Sequence, residues 1–291
     1  MTTVSTPSIT GAELLLRDFS LEMTGKDTPK LQVTAESLPV GTRINVTYLG
    51  NEDLPLRREA ARSVRSLGLN PVPHISARRL ESQERLEEFL AALREDGTQQ
   101  SVFVVGGDPT HPHGPYTDSM AVIRTGLLKQ YGVTHVGMSG YPEGHPNIPD
   151  EALWAALEEK SALLAAEGLE GDIITQFGFD AEPVLRWTAQ LREREIHWPV
   201  RVGVPGPAGV RRLLSYAARF GVGTSTSIAR KYGLSLTNLM GTAGPDRFIR
   251  ALAAGYDAAT HGEMKLHFYT FGGLSATSTW IDEFRTTEGL K

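Results

Sequence analysis

The sequence has no cysteine among its 291 residues, which excludes disulfides, thiolate metal sites and a cysteine nucleophile. It also lacks a basic run that could neutralise a series of phosphates, and its formal net charge is -5, so nucleic acid is not an expected partner. No apolar stretch approaches the ~20 residues that cross a bilayer, and the first ten residues have neither the basic start nor the apolar centre of a signal peptide. We therefore expect a soluble, cytoplasmic protein.

Short β-rich runs alternate with longer amphipathic runs along almost the whole chain. Eight strand-helix units indicate parallel strands with right-handed crossovers, and thus a single (β/α)8 TIM barrel. A doubly wound sheet is the alternative, weakened by the absence of a Gly-x-Gly-x-x-Gly turn after the first strand. We expect an N-terminal extension over 1–17, the barrel over 18–291, and an interruption of the rhythm over 221–244. The predicted strands are 19–23, 43–48, 72–75, 101–105, 135–139, 172–177, 200–204 and 265–269, and the predicted helices include 56–67, 81–94, 118–130, 150–167, 182–195 and 208–220.

Polar and aromatic side chains recur where the predicted strands end. In a parallel barrel these ends converge on one mouth, so residues that are distant in sequence meet there. This pattern predicts an enzyme rather than a purely structural protein. The residues placed at the mouth in this way are Glu22, Thr47, His74, Asp108, Tyr141, His145, Gln176, His267 and Tyr269.

Some of these side chains have both a chemical and a structural interpretation. Glu22 lies in an apolar strand, where a carboxyl group could serve as a general acid or could pair with Lys26. Gln176 lies between apolar residues, so its amide must bond either the protein or a ligand with alternating donors and acceptors, such as a pterin edge. The loop from Tyr141 to His145 is stiffened by proline and suits a planar ring, but it could equally be a connector.

The pair His111 and His113 has no third ligand nearby in sequence, and we expect no metal site.

Taken together, the strand-end phrases resemble the methylenetetrahydrofolate reductase family. The resemblance runs in order from about Asp18 to Thr270, and many agreeing phrases carry more weight than any one of them. The phrases that carry it are Ser20-Leu21-Glu22-Met23, Val46-Thr47-Tyr48, Pro73-His74-Ile75, Gly107-Asp108, Tyr141-Pro142-Glu143-Gly144-His145-Pro146, Ile174-Thr175-Gln176-Phe177-Gly178-Phe179-Asp180 and His267-Phe268-Tyr269-Thr270.

The resemblance implies a barrel enzyme that reduces 5,10-methylenetetrahydrofolate to 5-methyltetrahydrofolate. It implies that Glu22 is the catalytic acid, which protonates the bridging ring so that this ring opens to an iminium that accepts hydride. Asp108 and Gln176 would hold the pterin edge. By the same resemblance, the substrate-binding residues are Asp108, Gln176, Phe179 and Tyr269, and the cofactor-binding residues are Thr47, His74, Gly107, Tyr141 and His145.

The departures from the family pattern concern the cofactor. Flavin-containing members have an arginine where this chain has Gly106, and a later arginine where this chain has Gly273 or a residue near it. They also have a basic pair that a count without gaps places on Leu164 and Ala165, so this chain lacks these cations. Each missing cation removes a charge-assisted hydrogen bond of about 1.5 to 3 kcal/mol to a pyrophosphate. The sequence therefore favours direct hydride transfer from NADH, with NADPH left open, over bound FAD. The alternatives are an FAD-dependent reductase and a catalytically inactive folate-binding protein, and the oligomeric state is left open, including a homo-oligomer.

Overall fold

In the computed structural model, which describes residues 11–50, 52–220 and 242–290, eight parallel strands close into a barrel. Each strand pairs with the next in sequence, and the last pairs with the first through Ser20 opposite His267. This closure confirms the predicted (β/α)8 barrel. The strands are β1 (Ser20–Met23), β2 (Arg43–Val46), β3 (Asn70–Ser76), β4 (Ser101–Val105), β5 (His135–Gly140), β6 (Glu170–Thr175), β7 (Val200–Pro205) and β8 (Met264–Tyr269).

Helices surround the barrel, and polar side chains begin several of them. Asp53 accepts a hydrogen bond from the backbone N–H of Leu56, and Asp118 accepts one from Ala121. Such caps satisfy N–H groups that the first turn leaves without a partner. The described α-helices are Gly11–Leu16, Thr28–Thr34, Leu54–Ser66, Gln83–Glu95, Ser119–Ile123, Leu127–Gln130, Asp150–Glu167, Ala181–Glu193, Val210–Phe220, Asp246–Gly255, Ala258–His261 and Leu274–Glu288.

Two predicted elements differ from the structure for local reasons. The helix expected over 118–130 is divided into Ser119–Ile123 and Leu127–Gln130, because Gly126 has a φ of +72° and ends the first helical run. The helix expected from 208 begins at Val210, since Ala208–Gly209 pairs antiparallel with Thr242–Ala243. Most of the interruption expected over 221–244 lies outside the described residues.

The largest apolar core lies between the barrel wall and the surrounding helices. Alternate strand residues such as Leu21, Ile44 and Val136 point outward and are fully buried there. Burial of each such side chain contributes about 1.5 to 3 kcal/mol. Helix Gly11–Leu16, in the predicted N-terminal extension, packs Leu15 and Leu16 into the same core. In the parts of the chain that the structure describes, no helix has the length and hydropathy needed to span a membrane.

The inside of the barrel has a different composition from its outer wall. A small apolar cluster of Val72, Phe103 and Ile174 lies within it, with Val105 packed against the cluster. Residues nearer the N-terminal strand ends are charged, and those nearer the C-terminal ends are polar. The apolar cluster thus separates a buried ionic layer from the mouth.

The ionic layer is centred on Asp172, whose side chain is 3% exposed. Its Oδ2 lies 2.7 Å from Arg201 Nε, 3.3 Å from Arg43 Nη2 and 3.7 Å from His135 Nε2. Burial alone would raise the pKa of Asp172, but the charges of Arg43 and Arg201 and the hydrogen bond from Arg201 lower it below its ordinary value. Arg201 also bonds Asp18, so the layer ties β2, β5, β6 and β7 to the chain that enters β1. The N-terminal end of the barrel is therefore built for stability.

Candidate active site

Glu22 is the carboxylate on the inner face of β1. Its side chain is 23% exposed, and Oε2 lies 3.4 Å from His267 Nε2. The Thr270 hydroxyl donates a 2.6 Å hydrogen bond to the Glu22 carbonyl, which ties the end of β8 to β1. Within the described residues, the ionic partner of Glu22 is thus His267 and not Lys26, the structural alternative considered from the sequence. A partly shielded carboxyl group therefore lies beside a buried histidine at this point of the mouth.

His267 is fully buried and connects Glu22 to Ser20. Its Nδ1 lies 2.9 Å from Ser20 Oγ. When Nε2 carries the proton and donates to Glu22, Nδ1 accepts from the Ser20 hydroxyl, so both nitrogens are satisfied. The register explains this contact, because Ser20 and His267 are opposite each other in the paired strands that close the barrel.

Tyr269 follows two residues after His267 and faces the same interior. Its hydroxyl donates a 3.0 Å hydrogen bond to the Thr175 carbonyl, and its ring stands at 90° to the His267 ring with 5.0 Å between centroids. Burial raises the pKa of Tyr269 well above its ordinary value, and the nearby Glu22 and Tyr141 raise it further. The phenol therefore stays neutral and supplies a fixed edge to the site.

His74 lies across the mouth and is neutral. Its Nε2 is 3.2 Å from Asn45 Nδ2, and its ring packs against Phe103 with 4.7 Å between centroids. Burial is the main cause that lowers the pKa of His74 to about 4. The Glu22 carboxylate opposes this shift, and His267 and Arg57 add to it. Nε2 is then an acceptor from the Asn45 amide. Arg57 fixes the backbone at this point through a 2.5 Å hydrogen bond to the His74 carbonyl.

Thr47 comes directly after β2 and is buried. Its backbone N–H and its hydroxyl both donate to the Met23 carbonyl, at 2.9 Å and 3.1 Å. Since the hydroxyl hydrogen is used in this way, only the lone pairs of Oγ1 are left for a ligand. Thr47 thus joins the ends of β1 and β2 beside Glu22.

Tyr141 and His145 lie close together in the loop after β5. Their rings meet edge to face at 86° with 5.3 Å between centroids, and His145 Nδ1 accepts from the Asn147 N–H at 3.2 Å. Partial burial lowers the pKa of His145. Gly144 turns the loop with a φ of +78°. The expected fixed relation between an aromatic ring and an imidazole is therefore present.

A groove of about 480 Å³ opens beside Tyr141, between the helices that follow β5 and β6. Trp154 and Trp187 stack along it, with 5.6 Å between centroids and 28° between planes. The groove presents flat aromatic surface next to the loop that holds Tyr141. The charged residues that line it are Glu143, Asp150 and Arg186.

Gln176 follows β6, and only one end of its side-chain amide is bonded within the described residues. Its Oε1 accepts from the Phe177 N–H at 3.1 Å, whereas in the described part of the chain no protein group accepts from its NH₂. Phe179, two residues further on, is 4% exposed and packs edge-on against Phe177 in the core. Contact of Phe179 with a substrate stays a prediction, and its ring here supports the strand end. Asp180 caps the following helix through the Glu182 N–H.

Asp108 lies at the turn after β4 and is the most exposed of the predicted residues. Its side chain is 66% exposed, and Oδ1 lies 2.5 Å from Arg79 Nη2. Gly107 has a φ of +91°, and a Cβ at that position would meet Ser76 Oγ at 2.0 Å, so only glycine fits the turn. Among the described residues other than its two chain neighbours, no atom lies within 4 Å of a Cβ built on Gly106, so the space beside its backbone is open.

The sequence patterns did not point to several residues that complete this site. Ser20 and Asn45 are short polar residues inside strands, and their partners His267 and His74 come from other strands. The signal that could have found Ser20 is the two-residue spacing that places it on the same strand face as Glu22. Arg79 carries no motif, and its relation to Asp108 follows only from the adjacency of β3 and β4. Among the residues that the structure describes, no group of three potential metal ligands comes together.

Mild acid is expected to destabilise the protein through its buried neutral histidines. His74 and His135 have pKa values of about 4, below the ordinary 6.5, chiefly because burial disfavours the charged imidazole. Between these values the unfolded chain binds more protons than the folded one. The free energy of unfolding therefore falls as the pH falls from about 6.5 to about 4, by up to about 3 kcal/mol for each histidine. Urea titrations at pH 7.5, 6 and 5 measure this slope.

The variant His74→Gln keeps an acceptor for Asn45 but removes one titrating group, so it should flatten the slope. His197→Gln is the matched control, because it removes an exposed imidazole. If the free energy of unfolding of His74→Gln falls with pH as steeply as that of the unmodified protein, the assignment of His74 as a neutral acceptor is contradicted.

Comparison with known proteins gives this barrel a family. The family model described as methylenetetrahydrofolate reductase matches residues 23–222, which is more than half of the chain, with Glu22 and His267 outside the matched range. Methylenetetrahydrofolate reductase 2 of Saccharomyces cerevisiae is 28% identical over 127 residues, which cover 41% of this chain and only 20% of the yeast protein. A solved structure from Clostridium thermocellum, of a protein that binds two copies of 5-methyl-5,6,7,8-tetrahydrofolic acid, has a TM-score of 0.62 at 10% identity and covers 92% of this chain and 95% of that one. The family match over residues 23–222 shows that the chain belongs to the methylenetetrahydrofolate reductase family.

Proposed function

We propose that the protein reduces 5,10-methylenetetrahydrofolate to 5-methyltetrahydrofolate with hydride taken directly from NADH. The observation that carries the proposal is the placement of Glu22 inside the barrel mouth, 3.4 Å from the buried His267. Family membership and a folate-binding protein of the same fold support a folate substrate.

The reaction needs one proton and one hydride. Glu22 protonates a nitrogen of the five-membered ring that carries the methylene bridge, and the bond from that nitrogen to the bridging carbon breaks. The carbon becomes an iminium on the remaining nitrogen, and addition of hydride converts it to the methyl group. The nicotinamide supplies that hydride and leaves as NAD⁺. His267 faces the carboxylate that remains and stabilises its charge until a solvent proton replaces the one delivered.

Two side chains of the mouth are suited to the pterin edge. The Asp108 carboxylate accepts hydrogen bonds from the ring N–H and amino groups, and the Gln176 NH₂ donates to ring acceptors. They follow β4 and β6, on either side of β5, so the pterin would lie over the intervening strand end. Tyr269 closes the inner side of this position with a neutral phenol edge.

The residues of the mouth fit a dinucleotide that binds and leaves. The open space beside the Gly106 backbone allows close approach, and in this proposal Thr47, His74, Tyr141 and His145 contact the nicotinamide dinucleotide. The groove beside Tyr141 offers stacked indoles to a second planar ring, but its charged residues are two carboxylates and a single guanidinium. Such a lining disfavours tight retention of a pyrophosphate, which suits a co-substrate better than a resident FAD.

The position of Leu164 and Ala165 corrects one part of the sequence argument about FAD. Both lie in the last turn of helix Asp150–Glu167, which leads into the N-terminal end of β6, opposite the mouth. A cation at either position could not reach a cofactor at the mouth. The count without gaps therefore placed the family's basic pair at the wrong end of the helix. The residues of that helix that line the groove are Asp150, Leu153, Trp154 and Leu157, and none of them is basic.

The purified protein is expected to be colourless and to oxidise NADH only when methylenetetrahydrofolate is added. An absorption spectrum and an anaerobic NADH assay check both points. A yellow preparation with one FAD per chain would overturn the flavin-free proposal. Tight binding of 5-methyltetrahydrofolate without any NADH oxidation would instead identify a folate-binding protein that lacks catalysis.

A further inference from the structure

Arg79 is a largely buried cation at the barrel mouth. It ends the short 3₁₀ turn Ala77–Arg79 that follows β3, and its side chain is 14% exposed. Its Nη2 lies 2.5 Å from Oδ1 of Asp108, the residue that follows the glycines after β4. The carboxylate itself is 66% exposed, and no other side chain in the described ranges bonds it. One carboxylate oxygen of Asp108 is therefore fixed by the protein, while most of the carboxylate is open to solvent.

The Arg79 guanidinium lies between the Tyr48 ring and Gly50. The guanidinium carbon lies 5.6 Å from the centroid of the Tyr48 ring. Arg79 Nε is buried and has no hydrogen-bond acceptor in the described part of the chain. A Cβ built on Gly50 would come within 2.4 Å of Arg79 Nη1, so Gly50 leaves room for the guanidinium where any other residue would push it away. The space left by Gly50 indicates that the local structure determines the direction of the Arg79 side chain.

The backbone that carries Asp108 is fixed by the same strand end. The Arg78 N–H donates a 2.9 Å hydrogen bond to the Gly106 carbonyl. Within the part of the chain that the structure describes, Ser76 Oγ is buried without a hydrogen-bond partner and lies against Gly107, whose φ of +91° sets the turn. The end of β3 thus determines both where the backbone of Asp108 lies and, through Arg79, where its carboxylate points.

We propose that Arg79 is a positioning residue for folate, which aims the Asp108 carboxylate at the pterin edge. The inference rests on the proposed function, in which Asp108 accepts hydrogen bonds from the pterin. Two neighbouring N–H donors are satisfied together only by a carboxylate in one orientation, and the bond from Arg79 to Oδ1 selects that orientation. Without Arg79 an exposed aspartate samples other rotamers, and the folate must supply the cost of ordering it.

The experiment measures binding of 5-methyltetrahydrofolate, KM for both substrates, and urea unfolding, on the full chain. Arg79→Gln is expected to weaken folate binding and raise the folate KM by about 10-fold, with kcat and the NADH KM changed by less than about 3-fold. Arg79→Lys should restore part of the loss. Gly50→Ala should act in the same direction, because it displaces the guanidinium. Arg85→Gln, which removes an exposed arginine on helix Gln83–Glu95, is the matched control and should change none of these values.

A double-mutant cycle separates positioning from a structural role. If Arg79 acts through Asp108, then Arg79→Gln adds nothing to the loss that Asp108→Asn causes, whereas independent roles add. The inference would be overturned if the losses of folate affinity in the two variants add, or if both KM values rise equally. It would also be overturned if the loss of folate affinity is matched by a fall in the free energy of unfolding. The positioning role of Arg79 fails by itself, without the proposed function, if Asp108→Asn weakens folate binding and Arg79→Gln does not. The proposed function fails with it only if the unmodified protein binds no folate.

Discussion

Replacement of Glu22 by glutamine is expected to lower kcat by ~10²-fold or more while 5-methyltetrahydrofolate still binds with nearly unchanged affinity. Glutamine has the same shape and is polar, so it keeps the packing against His267 but has no proton to deliver to the bridging ring. The rate is then limited by unassisted ring opening. Single-turnover reduction and equilibrium binding of the product, measured on the same preparation, separate chemistry from binding.

Two further variants sharpen this test of Glu22. Glu22→Asp retains the acid but withdraws it by one methylene, so an intermediate rate is expected. Glu81→Gln removes an exposed carboxylate elsewhere and should leave kcat unchanged. Equal losses of folate binding and turnover in Glu22→Gln would show that Glu22 serves the structure of the site and not the proton transfer.

Replacement of Asp172 by asparagine is expected to lower the free energy of unfolding by about 3 to 5 kcal/mol. The substitution leaves Arg43 and Arg201 buried without their shared carboxylate, which costs more than the original ion pairs contribute. Urea unfolding at pH 7.5 measures the loss. Because the ionic layer lies at the opposite end of the barrel, the folded fraction should keep its KM for folate.

The control for Asp172 is an ion pair of similar geometry on the surface. Arg194 Nη1 lies 2.5 Å from Glu158 Oε1, and both side chains are more than 40% exposed. Glu158→Gln is expected to cost less than about 1 kcal/mol, since solvent screens that pair. A cost for Asp172→Asn as small as that for Glu158→Gln would contradict the view that the buried layer holds the N-terminal strand ends together.

The fold could be predicted from the sequence because its signals are local. The alternation of β-rich and amphipathic runs indicates strands and helices within a few residues, and chain connectivity limits parallel strands to a small set of arrangements. Errors arose where one residue changed the backbone direction. Gly126 divides a predicted helix, and such a left-handed turn is not distinguishable in sequence from a tolerated glycine inside a helix.

The candidate site could be predicted only where a residue type is conspicuous at a strand end. Glu22, His74 and Asp108 met that condition. The contacts that orient them did not. His267 was itself predicted at the mouth, but its contact with Glu22 arises only when β8 closes on β1, and Arg79 meets Asp108 only because β3 and β4 are adjacent. The positions assigned to the basic pair of the flavin-containing family were wrong for a related reason. They were found by counting residues without gaps, and Leu164 lies at the right distance in sequence but at the wrong end of its helix.

The fate of a deuterium label tests direct hydride transfer most directly. The protein is given methylenetetrahydrofolate in ordinary water, with NADH deuterated at C4 of the nicotinamide on the transferred face, and the product methyl group is analysed by mass spectrometry. A direct transfer predicts one deuterium in each methyl group formed. A methyl group that contains only protium, with the label lost to water, would contradict the account, because it would require a carrier whose hydrogen exchanges with solvent, as that of a reduced flavin does.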